Sequence, residues 1–403
     1  MNFRKILAVV CCMTLGLGCL TACGKEDNGN SNSNTNTNNG NNSSTEGIEN
    51  MGPVVLTSEK VKIVGRTHLM DDVLWLAFSG AGAEFVYEGK KLDITFVGDN
   101  SVNGGIDNQA RVAVYVDGER TVDEMIDQPE MTVTAFENSE SKKVNVQIVK
   151  LSETAMSTVG VKPITLADGE KITPADDKAH KIEFVGDSIT CGYGVDDEVK
   201  EHHFSTSTED VTKAYAYKTA EKLNADYSMV SISGYGIISG YSSNGNKVPS
   251  QALPQYYDKM GFSYNKFANT TSPQNVEWDF ESFRPEVIII NLGTNDNSYV
   301  KGNSEKKQEY VDGYLAFLKT VREKNPDAEI FCVLGIMGAE LYSAIEGMVS
   351  EYSAETGDQK IHPFKLPVQD WANGYAADWH PTEKNHEIAA QAMADEITRV
   401  MGW

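Results

Sequence analysis

The chain has 403 residues, 40% apolar and 23% charged, which is enough for two domains with separate cores and typical of a water-soluble globular fold. A formal charge of −23 excludes nucleic acid and anionic membrane surfaces as partners, because both would repel it, and leaves neutral polymers and small esters open.

Arg4 and Lys5 precede an apolar run over residues 6–20 that ends in Leu20-Thr21-Ala22-Cys23. Residues 1–22 read as an export leader, and at about 15 residues the run is shorter than the roughly 20 that a membrane-crossing helix needs. Residues 23–52 are rich in Asn, Ser, Thr and Gly, too polar to offset the entropy of ordering, and read as a flexible tether. Residues 53–172 carry short Val/Ile/Phe/Tyr runs broken by Gly, Asp and Asn, with a hairpin turn at Asp117-Gly118, which predicts an all-β sandwich of jelly-roll type. Its aromatics Trp75, Phe78 and Tyr87 are expected either in the core or on a sugar-stacking face. Of six cysteines only Cys191 and Cys332 fall after Cys23, so a disulfide framework is not expected. Both read as packed thiols, Cys191 beside a serine turn without a basic neighbour to activate it.

After Pro163 and Pro174 strands alternate with helices, the pattern of a parallel sheet covered on both faces. Helices are expected over residues 211–223, 304–322, 339–355 and from Thr382 onward; strands over 227–231, 287–290 and 329–334. In such sheets ligands bind at the carboxyl ends of the strands. Three blocks fall there: Gly186-Asp187-Ser188, Ser233-Gly234-Tyr235-Gly236 and Gly293-Thr294-Asn295-Asp296; Asp378-Trp379-His380 lies just before the last helix. Acyl transfer needs a nucleophile, a base and donors aimed at the developing oxyanion. Ser188 is the candidate nucleophile, His380 the base, and the N–H groups of Ser188 and Gly234 with the Asn295 amide the donors. Thr190 stands where the nucleophile elbow of α/β-hydrolases has its second glycine, which argues against that fold. His202 and His203 lack partners at metal-ligand spacing, and no metal or cofactor is expected. His386 reads as surface or structural, while Asp187 and Asp296 are expected to hold their turns.

These blocks resemble those of the SGNH (GDSL-type) hydrolase superfamily, and GDSITCGYG, SGYG, DWHP and the preceding β-domain are more narrowly similar to carbohydrate esterase family 2. The resemblance implies a three-layer α/β/α domain over residues 173–403 and an esterase that removes acetyl groups from plant-wall polysaccharide. Ser188, Gly234, Asn295 and His380 carry over one by one. Where the superfamily has an aspartate three residues before the histidine this chain has Ala377, so either Asp378 reaches the imidazole from a displaced position or a backbone carbonyl, that of Trp379 foremost, orients it. Trp379 and Tyr241, with Trp371 a weaker third, are candidates for stacking on sugar. The first segment resembles a bacterial lipoprotein signal, which implies cleavage before Cys23, lipidation of its thiol and attachment outside the cytoplasmic membrane through that lipid alone. Two alternatives stay open: an SGNH enzyme for another ester, of a lipid or bacterial surface glycan, or a sugar-binding surface lipoprotein whose hydrolase domain is inert.

Overall fold

The computed structural model describes residues 52–403. The leader, Cys23 and the tether up to residue 51 lie outside the described residues.

The first domain is an antiparallel sandwich of β1 (Lys62–Val64), β2 (Thr67–Met70), β3 (Val73–Leu76), β4 (Gly82–Gly98), β5 (Ala110–Val116), β6 (Glu119–Ile126), β7 (Glu130–Lys150), β8 (Val159–Val161) and β9 (Lys171–Pro174). Segments that read as separate strands fuse: β4 spans 17 residues and β7 spans 21, paired along their length. Register shifts at Gly89/Lys91 and Leu92/Asp93 bend the pair, so its two halves serve opposite layers. One half lies beside β5, β1 and β9, the other beside β8. Asp117 and Gly118, both at positive φ, make the two-residue turn between β5 and β6. Trp75, Phe78 and Tyr87 are buried at 2%, 1% and 0% exposure, so they belong to the interior and form no sugar-binding face.

The second domain is a five-stranded, all-parallel sheet ordered β11-β10-β12-β13-β14, with β10 (His180–Gly186), β11 (Ala225–Ser231), β12 (Val287–Asn291), β13 (Glu329–Ile336) and β14 (Ile361–Val368). Helices α2 (Tyr215–Lys222) and α6 (Glu383–Met401) pack on one face, α4 (Ser304–Lys324) and α5 (Tyr342–Thr356) on the other; α1 (Ser188–Cys191) and α3 (Thr294–Val300) are short turns at strand ends. Alternation on β12 explains its unbroken apolar run: Ile288 and Ile290 join the α4/α5 side, Val287 and Ile289 the α2/α6 side. The helix expected over 211–223 is divided, because Asp210 caps a 3-10 turn at Val211–Lys213 and Ala214 is extended before α2 begins. Strand β14 was not anticipated. It contains Pro363 and Pro367, which are tolerated because this strand lies at the sheet edge.

Each domain has its own core, and the two meet in a third buried cluster. Val64, Ala113, Val149 and Leu151 pack with β10, β11, α2 and α6. Arg66 is fully buried; it donates to the carbonyls of Tyr257 at 2.5 Å and Lys259 at 2.8 Å, and pairs with Glu183 of β10 at 3.3 Å. Breaking a buried ion pair from one side leaves an uncompensated charge. Arg66→Ala is therefore expected to lower the unfolding free energy by about 3 kcal/mol, read from urea or thermal denaturation; a change below about 1 kcal/mol would show that the pair contributes little.

Candidate active site

Ser188 is the first residue of α1, set directly beyond the carboxyl end of β10. Asp187 caps this turn, its Oδ1 accepting the N–H of Ile189 at 3.1 Å. A Cβ on Gly186 would lie 2.0 Å from Thr190 Oγ1, and Gly192 closes the turn at φ 78° where a Cβ would lie 2.5 Å from the Asp210 carbonyl. Cys191 packs beneath with its Sγ donating to Ser231 Oγ at 3.3 Å, and burial pushes its thiol well above the ordinary range, which keeps it unreactive.

His380 meets the serine from the far end of the chain: Nε2 lies 2.9 Å from Ser188 Oγ. Nδ1 donates to the Ala377 carbonyl at 3.1 Å, which fixes the tautomer so that Nε2 offers its lone pair to the hydroxyl. A backbone carbonyl orients the ring, but it is that of Ala377 and not of Trp379. The reason is local: Asp378 and Trp379 both adopt positive φ, at 49° and 59°, and curl the chain so that the carbonyl three residues back faces the imidazole. The Trp379 carbonyl points away and accepts from Gln369 Nε2 at 3.1 Å.

The Asp378 carboxylate makes no hydrogen bond to His380. Its carboxylate accepts from the Tyr193 hydroxyl at 2.5 Å and lies 2.9 Å from His203 Nδ1. Tyr193 in turn stacks on the His380 ring, centroids 3.9 Å apart and planes inclined by 19°. The aspartate thus reaches the histidine at second hand, by holding the ring that covers its face. Burial is the main influence on His380 and pushes its pKa down to about 4, leaving the imidazole neutral at ordinary pH.

Gly234 follows β11 at φ 80°, a conformation that side chains resist, and the space its Cβ would occupy has no atom within 4 Å. Asn295, in the first turn of α3, donates through Nδ2 to the Tyr235 carbonyl at 2.8 Å and to Asp187 Oδ2 at 3.1 Å. Asp296 grips the loop beyond Gly234, accepting N–H groups of Ile237 and Ile238 at 2.8 Å and Ser239 at 3.1 Å. Burial pushes the pKa of Asp187 up to about 7 and that of Asp296 to about 6. Both hold turns, in keeping with the sequence.

Three candidate aromatic side chains are exposed: Trp379 at 48%, Tyr241 at 62%, whose N–H donates to the Gly234 carbonyl, and Trp371 at 78%. His386 is buried in full, with Nδ1 accepting the Tyr215 N–H at 3.1 Å, and so ties α6 to α2.

Residues 184–388 match the GDSL-like lipase/acylhydrolase family. The chain belongs to that family. Residues 63–175 match the N-terminal domain of carbohydrate esterase family 2, so the sandwich too has its counterpart there. The chain is 29% identical over 331 residues to the cellulase/esterase CelE of Acetivibrio thermocellus, covering 81% of this chain but only 38% of that larger protein. With an acetylxylan esterase / glucomannan deacetylase of Cellvibrio japonicus it shares 25% identity over 90% of this chain and 95% of the relative. The structure of an acetyl xylan esterase from the rumen bacterium Butyrivibrio proteoclasticus superposes with a TM-score of 0.76 at 26% identity, covering 86% and 98% of the two chains.

Within this SGNH framework sequence reasoning did not single out Tyr193 or the Ala377 carbonyl. Tyr193 lies inside the GDSITCGYG string, a signal that was present; the direction of a carbonyl has none.

Two outcomes follow from this geometry. With its pKa held near 4 by burial, His380 gains a proton only at low pH, so kcat/KM on a small acetyl ester is expected to fall only below about pH 5; a midpoint near the ordinary histidine value of about 6.5 would contradict the burial argument. Asp378→Ala is expected to lower kcat/KM by less than about tenfold, against about ten thousandfold for an aspartate bonded to Nδ1, and steady-state kinetics on the purified variant decides between them.

Proposed function

We propose that this SGNH hydrolase is a serine esterase that removes O-acetyl groups from plant-wall polysaccharide such as xylan or glucomannan, or from their oligosaccharides. The observation that carries the chemistry is the 2.9 Å contact of Ser188 Oγ with a His380 ring whose other nitrogen is fixed on a carbonyl. His380 Nε2 takes the hydroxyl proton as Oγ attacks the acetyl carbonyl carbon. The N–H groups of Ser188 and Gly234 and the Asn295 amide receive the oxyanion, the amide by exchanging its longer bond to Asp187 for the new one. The tetrahedral adduct collapses as the imidazolium gives its proton to the departing sugar oxygen, leaving acetyl-Ser188. Water, deprotonated by the same nitrogen, then attacks the acyl carbon, acetate leaves, and Oγ recovers its proton.

The substrate class is supported by relatives that bear the names acetylxylan esterase and glucomannan deacetylase. Exposed Trp379, Tyr241 and Trp371 offer flat apolar faces suited to sugar rings, and a neutral polymer is compatible with the strong negative charge. The leader-like residues 6–20 and the Cys23 motif support an extracytoplasmic location with a lipid on Cys23, which is where insoluble polymer is met.

Acetate release from acetylated xylan and glucomannan by the protein lacking residues 1–46, measured beside Ser188→Ala, tests this reading. Release that disappears in the variant is expected. Cleavage of a small acetyl ester without release from either polymer would remove the polysaccharide assignment, and activity that persists in Ser188→Ala would remove the serine mechanism.

A further inference from the structure

Beside the serine turn lies a buried charged cluster whose carboxylates belong to none of the four sequence blocks. Glu153, Glu209 and Cys191 are fully enclosed, with one ligand-type atom from each within 4.8 Å of the others, and Lys150 is buried beside them. Glu153 sits three residues past the end of β7 and is therefore delivered by the sandwich domain. Its Oε2 accepts the N–H of Ser233 at 2.7 Å. Its own N–H donates to Glu209 Oε2 at 2.9 Å, and Lys150 Nζ donates to the carbonyls of Ser152 and Glu153 at 2.7 Å each.

Ser233 immediately precedes Gly234, and on the other side Asp296 holds the N–H groups of residues 237, 238 and 239. The loop that presents the Gly234 N–H is thus suspended between two buried carboxylates, one from each domain. Burial raises the pKa of both Glu153 and Glu209 and pushes Lys150 down to about 8, so the cluster is energetically unfavourable to maintain. An apolar side chain would fill the same volume with less strain on stability, but it would leave the Ser233 N–H without an acceptor.

We propose that Glu153 is a positioning residue for the oxyanion-binding loop, acting through the Ser233 N–H to aim the N–H of Gly234 at the reacting carbonyl. The sandwich domain then contributes directly to turnover. An oxyanion donor displaced by a fraction of an ångström loses much of its effect, since the stabilisation depends on alignment with the position the oxyanion takes in the transition state.

The inference rests on the serine-esterase reading. Its test uses the folded two-domain protein with Glu153→Gln and Glu153→Met, which are of similar volume and both neutral, but of which only glutamine keeps an oxygen able to accept from Ser233. On a small acetyl ester, Glu153→Met is expected to lose about 10- to 100-fold in kcat with KM changed by less than about twofold, and Glu153→Gln to recover most of it. The inhibition constant of an alkyl boronic acid, whose tetrahedral adduct with Ser188 places an oxygen at the oxyanion position, is expected to rise in step with the loss in kcat/KM. Should Glu153→Met fail to fold, Glu153→Asp, which keeps the charge but withdraws the acceptor by one methylene, carries the same expectation. Equal kcat in the acceptor-keeping and acceptor-lacking variants, or an unchanged boronate constant, overturns the proposal. So does a stoichiometric divalent metal in the parent that is lost in Glu153→Gln, which would make the cluster a metal site. Ser188→Ala run alongside separates the two readings: activity surviving there defeats the esterase mechanism, whereas serine-dependent activity untouched by Glu153→Met defeats only the role of Glu153.

Discussion

The hydrogen bond between Ser188 and His380 joins residues 192 positions apart, and the architecture of the second domain can be understood as the means of keeping it at 2.9 Å. The serine is fixed because a buried parallel strand ends in a capped turn too crowded for any residue but glycine at position 186. The histidine is fixed because a short loop, with two non-glycine residues at positive φ, turns the Ala377 carbonyl onto Nδ1. Residues in that conformation cost of order 1 kcal/mol each or more and persist only where the surroundings over-determine them. Here the Tyr193 ring, the Gln369 contact and the extended backbone at His380 before Pro381 supply that constraint.

A histidine with a pKa near 4 is a weaker base than one near neutrality, so burial has a kinetic cost as well as a benefit. The benefit is that the imidazole is neutral, correctly tautomerised and accepting from the serine over the whole working range. The cost is reduced when the reaction itself changes the local charge: an oxyanion forming beside the ring favours the imidazolium that accompanies it. The Asp378 carboxylate acts in the same direction, favouring the protonated form by its charge while its oxygens are engaged by Tyr193 and His203. The absence of an aspartate on Nδ1 therefore leaves the site with a carboxylate close enough to matter electrostatically and too far to govern the tautomer.

Most of the second domain was legible in the sequence because its signals are local. Four apolar residues in a row at 287–290 demand a strand buried on both faces, and the glycine-flanked blocks mark strand ends. What escaped was set by geometry between distant segments. Strand β14 carries two prolines and has strand character only because it closes one edge of the sheet. The fusion of short runs into β4 and β7 depends on bulges that keep the pairing intact across breaks in the pattern. At the site, Ser188, Gly234, Asn295 and His380 were named from their motifs. The Ala377 carbonyl was not, since any residue carries one and only φ and ψ aim it. Glu153 lies beyond the end of a strand in another domain, and nothing in its neighbourhood of sequence distinguishes it from a surface acid.

That last residue bears on what the sandwich is for. A β-domain tethered as a separate sugar-binding module would bury its own core and present aromatic rings outward. This one does bury a core of its own, but Trp75, Phe78 and Tyr87 are interior, and the end of β7 is buried on both faces because Val149 and Leu151 pass into the core of the parallel-sheet domain. Arg66 ties the same face to β10 through an ion pair shielded from water, where solvent cannot substitute for a lost partner. A strand end held that firmly is a suitable platform from which to project Glu153 toward a loop that must not move. The exposed rings at 241, 371 and 379 stand instead on loops of the second domain, so under the proposed roles the division of labour runs opposite to that of a tethered binding module: the sandwich stiffens the site, and the catalytic domain meets the substrate.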